Sequence, residues 1–317
     1  MIPSRALLGL VVLTAFAAAA AAAACDKNSA TPTPTPSAST SASVTAAPLP
    51  HGATACGDMG CLEFEKLEDA FATVLDDHPI IVAVGEAHAP KGATVSSSTK
   101  RFTDEVLPAL SGKASDILVE LMQPPTGCQK ATAEVRQKQE VVTQKQAQTD
   151  QNEYVTLGTK ARAVGVVPDL LRPTCDDLAA VADSGEPIAA SLSLIKHLTV
   201  AKVKALVDRN RKTDADAKKI VFTYGGALHN DLAPTRELAD YAFGNELSAH
   251  ALGKYAEVDL FVPEFVQETD NWKKLEWYDT WKKLSPTAKV VMLRPRERTF
   301  VIFVGKSVQG SLDAGAP

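Results

Sequence analysis

Two short apolar runs, Ile80-Ile-Val-Ala-Val84 and Ile220-Val-Phe-Thr-Tyr224, constrain this chain more than any other feature. Runs of β-branched and aromatic residues without polar alternation read as strands covered on both faces, which places them inside a parallel sheet. Each run leads into glycine and then histidine: Gly85-Glu86-Ala87-His88 after the first, Gly225-Gly226-Ala227-Leu228-His229 after the second. Loops leaving the carboxyl ends of parallel strands form the ligand crevice of such sheets. Two of the six histidines therefore stand where an α/β protein builds its site.

The rest of the chain alternates in the same way. Phe64, Leu67, Ala70, Phe71 and Val74 have helical spacing and predict a helix over 63–75, stopped at His78-Pro79. A helix over 99–110 precedes a second strand, Asp116 to Leu121. Residues 129–163 are rich in Gln, Lys, Glu and Ala, and read as a solvated helix or helical hairpin over one edge of the site. A short strand at 164–168, helices at 176–182 and 188–209, a helix at 235–243 and a strand at 255–262 follow. Segments 288–293 and 299–304 read as an antiparallel hairpin. The expected fold is α/β: a mixed sheet, parallel at its centre with an antiparallel C-terminal hairpin, and helices on both faces.

The N-terminus is set apart from this domain. Met1 to Ala24 carries Arg5, an apolar stretch and an alanine run, the plan of a secretory signal. Ala22-Ala23-Ala24-Cys25 resembles the lipobox of bacterial lipoproteins, with Ala22 where that motif usually has leucine. Residues 25–55 are a lipidated cysteine and a Ser/Thr/Pro/Ala tether too poor in apolar residues to fold, leaving a single domain over 56–317. These features place the protein in the bacterial cell envelope, anchored through lipid on Cys25, in either the inner or the outer membrane. The formal charge of −5 and the lack of a basic run argue against a nucleic-acid partner. The other four cysteines suit disulfides in an exported chain, and the preferred pairing is Cys56 with Cys61 and Cys128 with Cys175.

The polar residues at the strand ends suggest the chemistry. Glu86 and His88, two apart, point the same way if the strand geometry persists. Glu120 lies inside an apolar strand, where a carboxylate needs a partner; a structural Arg or Lys is one alternative. With His229, the set suits two uses. Glu86, His88, Glu120 and His229 are a ligand set for zinc, manganese or iron, or they form a carboxylate-oriented histidine site that activates water without metal. In either case His88 or Glu86 is the expected base and His229 a ligand or electrophilic partner.

A strand followed by Gly85-Glu86-x-His88, then Glu120 late in the next strand, then Gly226-x-x-His229 after a later one, resembles the superfamily of erythromycin esterase-like, ChaN-like and TraB/Tiki proteins. The resemblance spans roughly residues 60–305. It implies a mixed α/β fold with the site at the carboxyl edge of the sheet, and activities that differ between members: macrolide lactone hydrolysis, metal-dependent peptide cleavage, and haem binding by an envelope lipoprotein. It also implies an arginine near the site, for which Arg162, Arg172 and Arg294 are candidates. The leading expectation is an exported hydrolase of an ester, lactone or peptide bond acting on a small-molecule or peptide substrate. The alternative is a haem- or metal-binding lipoprotein without catalysis, with Tyr224 or His229 as haem ligand. His51, His78, His197 and His250 read as surface or packing residues, and Trp272, Trp277, Trp281 and Tyr278 as a packing face.

Overall fold

The computed structural model describes residues 48–147, 149–213, 215–284 and 289–305. The signal, Cys25 and the tether as far as Ala47 lie outside the described residues. Among the described residues, no helix is long and apolar enough to cross a membrane.

Among the described residues, nine strands form one mixed sheet: β1 (Thr54–Ala55), β2 (Leu62–Phe64), β3 (Ile81–Glu86), β4 (Ala114–Met122), β5 (Val167–Leu171), β6 (Ile220–Gly226), β7 (Tyr255–Phe261), β8 (Val290–Arg296) and β9 (Thr299–Phe303). Their spatial order is β1-β2-β8-β9-β7-β3-β6-β4-β5. From β9 to β5 every pairing is parallel, and β1, β2, β8 and β9 pair antiparallel. The two apolar runs are direct neighbours, with Gly85 opposite Gly225 and Glu86 opposite Gly226. All six residues of β3 are buried. Its alternate positions feed different cores: Val82 and Val84 pack on one face, Ile81 and Ala83 on the other.

The helices are α1 (Leu67–Asp76), α2 (Ser98–Arg101), α3 (Gln129–Thr143), α4 (Asp150–Ala163), α5 (Cys175–Asp183), α6 (Pro187–Arg211), α7 (Gly244–His250), α8 (Asp270–Lys273) and α9 (Tyr278–Lys283). A π turn over Phe102–Val106 and a 3-10 turn over Leu107–Leu110 extend α2. Helix α1, the π turn after α2 and helix α4 contribute to one face, through Phe71, Phe102 and Leu157 among others, and α6 and α7 cover the opposite one with Val203, Val207 and Leu247. The aromatic cluster is a packing device as expected: Trp277 meets Phe261 and Phe303 at 5.3 and 5.2 Å between ring centres.

Several expected boundaries move. Glu63 and Phe64 belong to a strand rather than to the first helix, because β2 inserts Leu62 and Phe64 into the core beside β8. Thr54–Ala55, within the expected tether, already pairs with β2. The short strand falls at Val167–Leu171 rather than 164–168, since Gly165 at φ +82° first turns the chain out of α4. The expected helix at 235–243 is a pair of turns, and the helix begins only at Gly244. There the chain must bring the Tyr241 carbonyl and the Phe243 amide back to His229, which a continuous helix would not allow.

The Gln-rich segment is a helical hairpin. Its first arm, α3, buries only Val135. A Cys128–Cys175 disulfide ties the start of α3 to the start of α5, and Cys56–Cys61 closes a small loop beside β1. The far end of the hairpin is held to the loop after β3, where the Ala147 amide donates to the Ala89 carbonyl at 2.8 Å and Lys91 to Lys145 at 2.9 Å. The hairpin thus roofs the carboxyl ends of the central strands.

Candidate functional site

Strands β3, β6 and β4 lie side by side, so Glu86, Tyr224 and Glu120 arrive together at one edge of the sheet. Glu86 is 4% exposed and saturated with donors. Its Oε2 accepts from Thr99 at 2.7 Å and Tyr224 at 2.8 Å, and its Oε1 from Tyr154 at 3.0 Å. His88 Nδ1 lies 3.1 Å from the same Oε1. Four donors match the four lone-pair positions of a carboxylate. Burial first, and then the charge on Glu86, holds the Tyr154 and Tyr224 phenols well above their ordinary range, so both remain donors.

With Nδ1 committed to Glu86, Nε2 is the ring nitrogen that His88, a cavity-lining residue, has left to offer. Burial opposes a charged imidazole here. The hydrogen bond and charge of Glu86, joined by the charges of Glu120 and Asp150, outweigh it and raise the His88 pKa to about 9. His88 is therefore an imidazolium at neutral pH.

The second pair has the reverse order. Glu120 Oε2 accepts the Gly226 amide at 2.9 Å, while Oε1 lies 3.9 Å from His229 Nε2. His229 is 2% exposed, donates from Nδ1 to the Tyr241 carbonyl at 2.8 Å, and stacks on Phe243. The loop carrying it is pinned by Asn230, whose Nδ2 reaches the Val258 carbonyl at 3.2 Å and Asp259 Oδ1 at 3.0 Å. Glycine is required beneath this loop. A Cβ on Gly225 would sit 2.1 Å from Glu120 Oε2, and one on Gly85 would sit 2.5 Å from the Ala227 Cα.

Beside these pairs is a cavity of about 270 Å³ between the strand ends and helices α3, α4 and α6. His88 and Glu120 line it; Glu86 and His229 stand behind them. Much of the wall is apolar, including Val135, Val142, Leu178, Ile188 and Ile195, and Arg136 lies on it. One pair therefore shows the cavity an imidazole backed by a carboxylate, and the other a carboxylate backed by an imidazole.

The four expected residues do come together, but only two face the cavity. A metal centre would need donors converging on one point. Glu86 has no free lone pair to give, and among the described residues no group of three or more His, Cys, Asp or Glu side chains is placed to hold an ion. The donor set does not fit a metal. Tyr224, the expected haem ligand of the alternative reading, is 1% exposed with its hydroxyl engaged by Glu86. The partner of Glu120 is a backbone amide and a histidine rather than a structural Arg or Lys.

The site arginine is also placed elsewhere. Arg294 pairs with Asp77 and covers Phe300, Arg162 and Arg172 are exposed, and none of the three lines the cavity. Arg136 does, from within the segment whose composition reads as solvated. Thr99, Tyr154 and Asp150 were not legible as site residues either. Only the run Tyr154…Leu157…Ala161 along α4, buried at helical spacing, marks the face that carries the tyrosine inward.

No protein family, no curated protein and no solved structure matches this chain.

Proposed function

We propose that this is an exported hydrolase whose cavity cleaves an ester, lactone or peptide carbonyl without a metal. The observation that carries the reading is the crossed arrangement of the two pairs at one cavity: His88 fixed by Glu86, and Glu120 backed by His229. In this reading the substrate carbonyl oxygen lies against the His88 Nε2–H, and the imidazolium takes up the negative charge that develops there. Glu86 supplies a fixed orientation and a counter-charge that keeps the proton on the ring. Glu120 is the open carboxylate. It accepts the proton of the attacking water, with His229 Nε2 behind it as the next acceptor. This reverses the role expected for His88, since a ring held protonated by Glu86 is an acid before it is a base. The N-terminal signal and Cys25 add export and a lipid anchor to the proposal.

A panel of p-nitrophenyl esters and alkyl esters tests it, with the wild-type protein beside His88→Ala and Glu120→Gln. Turnover by the wild type and its loss in both variants is the expected result. Unchanged turnover in His88→Ala, or a Soret band on haem titration in a protein that turns over no ester, overturns the reading.

A further inference from the structure

One carboxyl on the cavity wall is left unused by the scheme above. Asp150 is the first residue of α4, facing the strand ends, and it lines the cavity together with His88 and Glu120. It is 7% exposed, and its Oδ2 is buried with no hydrogen-bond partner among the described residues. A buried carboxyl oxygen without a partner is unfavourable and rare in folded proteins, and it calls for a role that the resting structure does not satisfy.

We propose that Asp150 is the general acid of this cavity and hands its proton to the leaving group. The proposal rests on the hydrolytic reading of the site. The electrostatics agree with the geometry. Burial raises the Asp150 pKa to about 6, against the opposing pull of the His88 charge and with the repulsion of Glu86 and Glu153. The charged groups around it are Glu86 and His88 at the end of β3, Glu120 on β4, Glu153 on its own helix and Arg136 on α3. A carboxyl that still holds its proton near pH 6 is suited to protonating a departing oxygen or nitrogen.

The steps balance. Water attacks the carbonyl carbon, its proton passes to Glu120, and the π pair moves to the oxygen held by His88 Nε2–H. The tetrahedral intermediate then re-forms its carbonyl. The bond to the leaving alkoxide breaks, and that oxygen takes the proton from Asp150. The proton on Glu120 returns to Asp150 through water, so one water is consumed and the residues are restored.

The test compares two esters with one acyl group, p-nitrophenyl hexanoate and ethyl hexanoate. p-Nitrophenolate departs with little help, whereas ethoxide requires a proton. Asp150→Asn is expected to slow both, with the loss in kcat on the ethyl ester exceeding that on the p-nitrophenyl ester by about 100-fold or more. The descending limb near pH 6 in the ethyl ester profile is expected to vanish in the variant. Asp150→Ser and a thermal melt of each variant control for folding. Equal losses on the two esters, or a retained pH 6 limb, overturn the role of Asp150 while leaving the hydrolytic reading intact. Absence of His88-dependent turnover of either ester by the wild type overturns both.

Discussion

Tyr224 donates its hydroxyl to Oε2 of Glu86 at 2.8 Å, across the junction of two neighbouring parallel strands. That bond, with those from Thr99 and Tyr154, holds the carboxylate in one orientation and leaves His88 as the only member of its pair that meets the cavity. Replacing Glu86 with Gln should therefore act through His88. The His88 imidazole is expected to titrate well below 9 in the variant, as read by NMR of the labelled ring. A ring still titrating near 9 would sink the claim that Glu86 holds the proton there.

The same coupling makes stability depend on pH. The His88 pKa rises from 6.5 to about 9 on folding, so the folded state binds this proton more tightly than the unfolded chain. Its contribution is complete below pH 6.5 and is lost as pH climbs through 9. Urea titrations at pH 6, 8 and 10 should show the wild type losing stability over this window more steeply than Glu86→Gln. Parallel profiles for the two proteins would contradict the linkage.

Adjacent glycines should respond differently to alanine. A Cβ at Gly225 meets Glu120 at 2.1 and 2.6 Å, whereas one at Gly226 has ordinary contacts, the nearest being His88 Nε2 at 3.6 Å. Gly225→Ala is expected to destabilise by about 1–3 kcal/mol and to displace Glu120. Gly226→Ala should fold with nearly wild-type stability. Denaturant unfolding of the two variants decides the matter, and equal losses would show the Glu120 seat to be adaptable.

The two disulfides should differ in worth. Cys128–Cys175 spans 47 residues and Cys56–Cys61 spans 5. Loop-closure entropy gives about 4 kcal/mol for the first and about 2 kcal/mol for the second. Serine replacement of the 128/175 pair should lower the melting temperature more than that of the 56/61 pair. Because the longer bridge fastens α3, the Ser variant should also show faster hydrogen exchange in the cavity roof.

Chelation should leave turnover unchanged, because the donors do not converge and Glu86 is saturated. Loss of activity after EDTA, restored by zinc or manganese, would show that ligand binding rearranges the pairs into a metal centre.

The sheet and its edge are legible in the apolar runs alone. Runs such as Ile80–Val84 and Ile220–Tyr224 have no polar face, so they are stable only when covered on both sides, and that requirement locates Glu86, His88 and His229 at strand ends. Strand periodicity also explains why Glu86 and His88 share a side. Which atoms reach the cavity depends instead on long-range packing. Tyr154 and Asp150 come from a helix whose composition reads as solvated, and Arg136 from another. Their inward placement depends on how the hairpin is fastened at Cys128–Cys175 and at Ala89–Ala147. Local propensity carries no record of such long-range attachments. The opposite order of the two imidazole–carboxylate pairs follows from the β4-β6-β3 neighbourhood and the turn at Tyr241, both set by packing across the whole sheet.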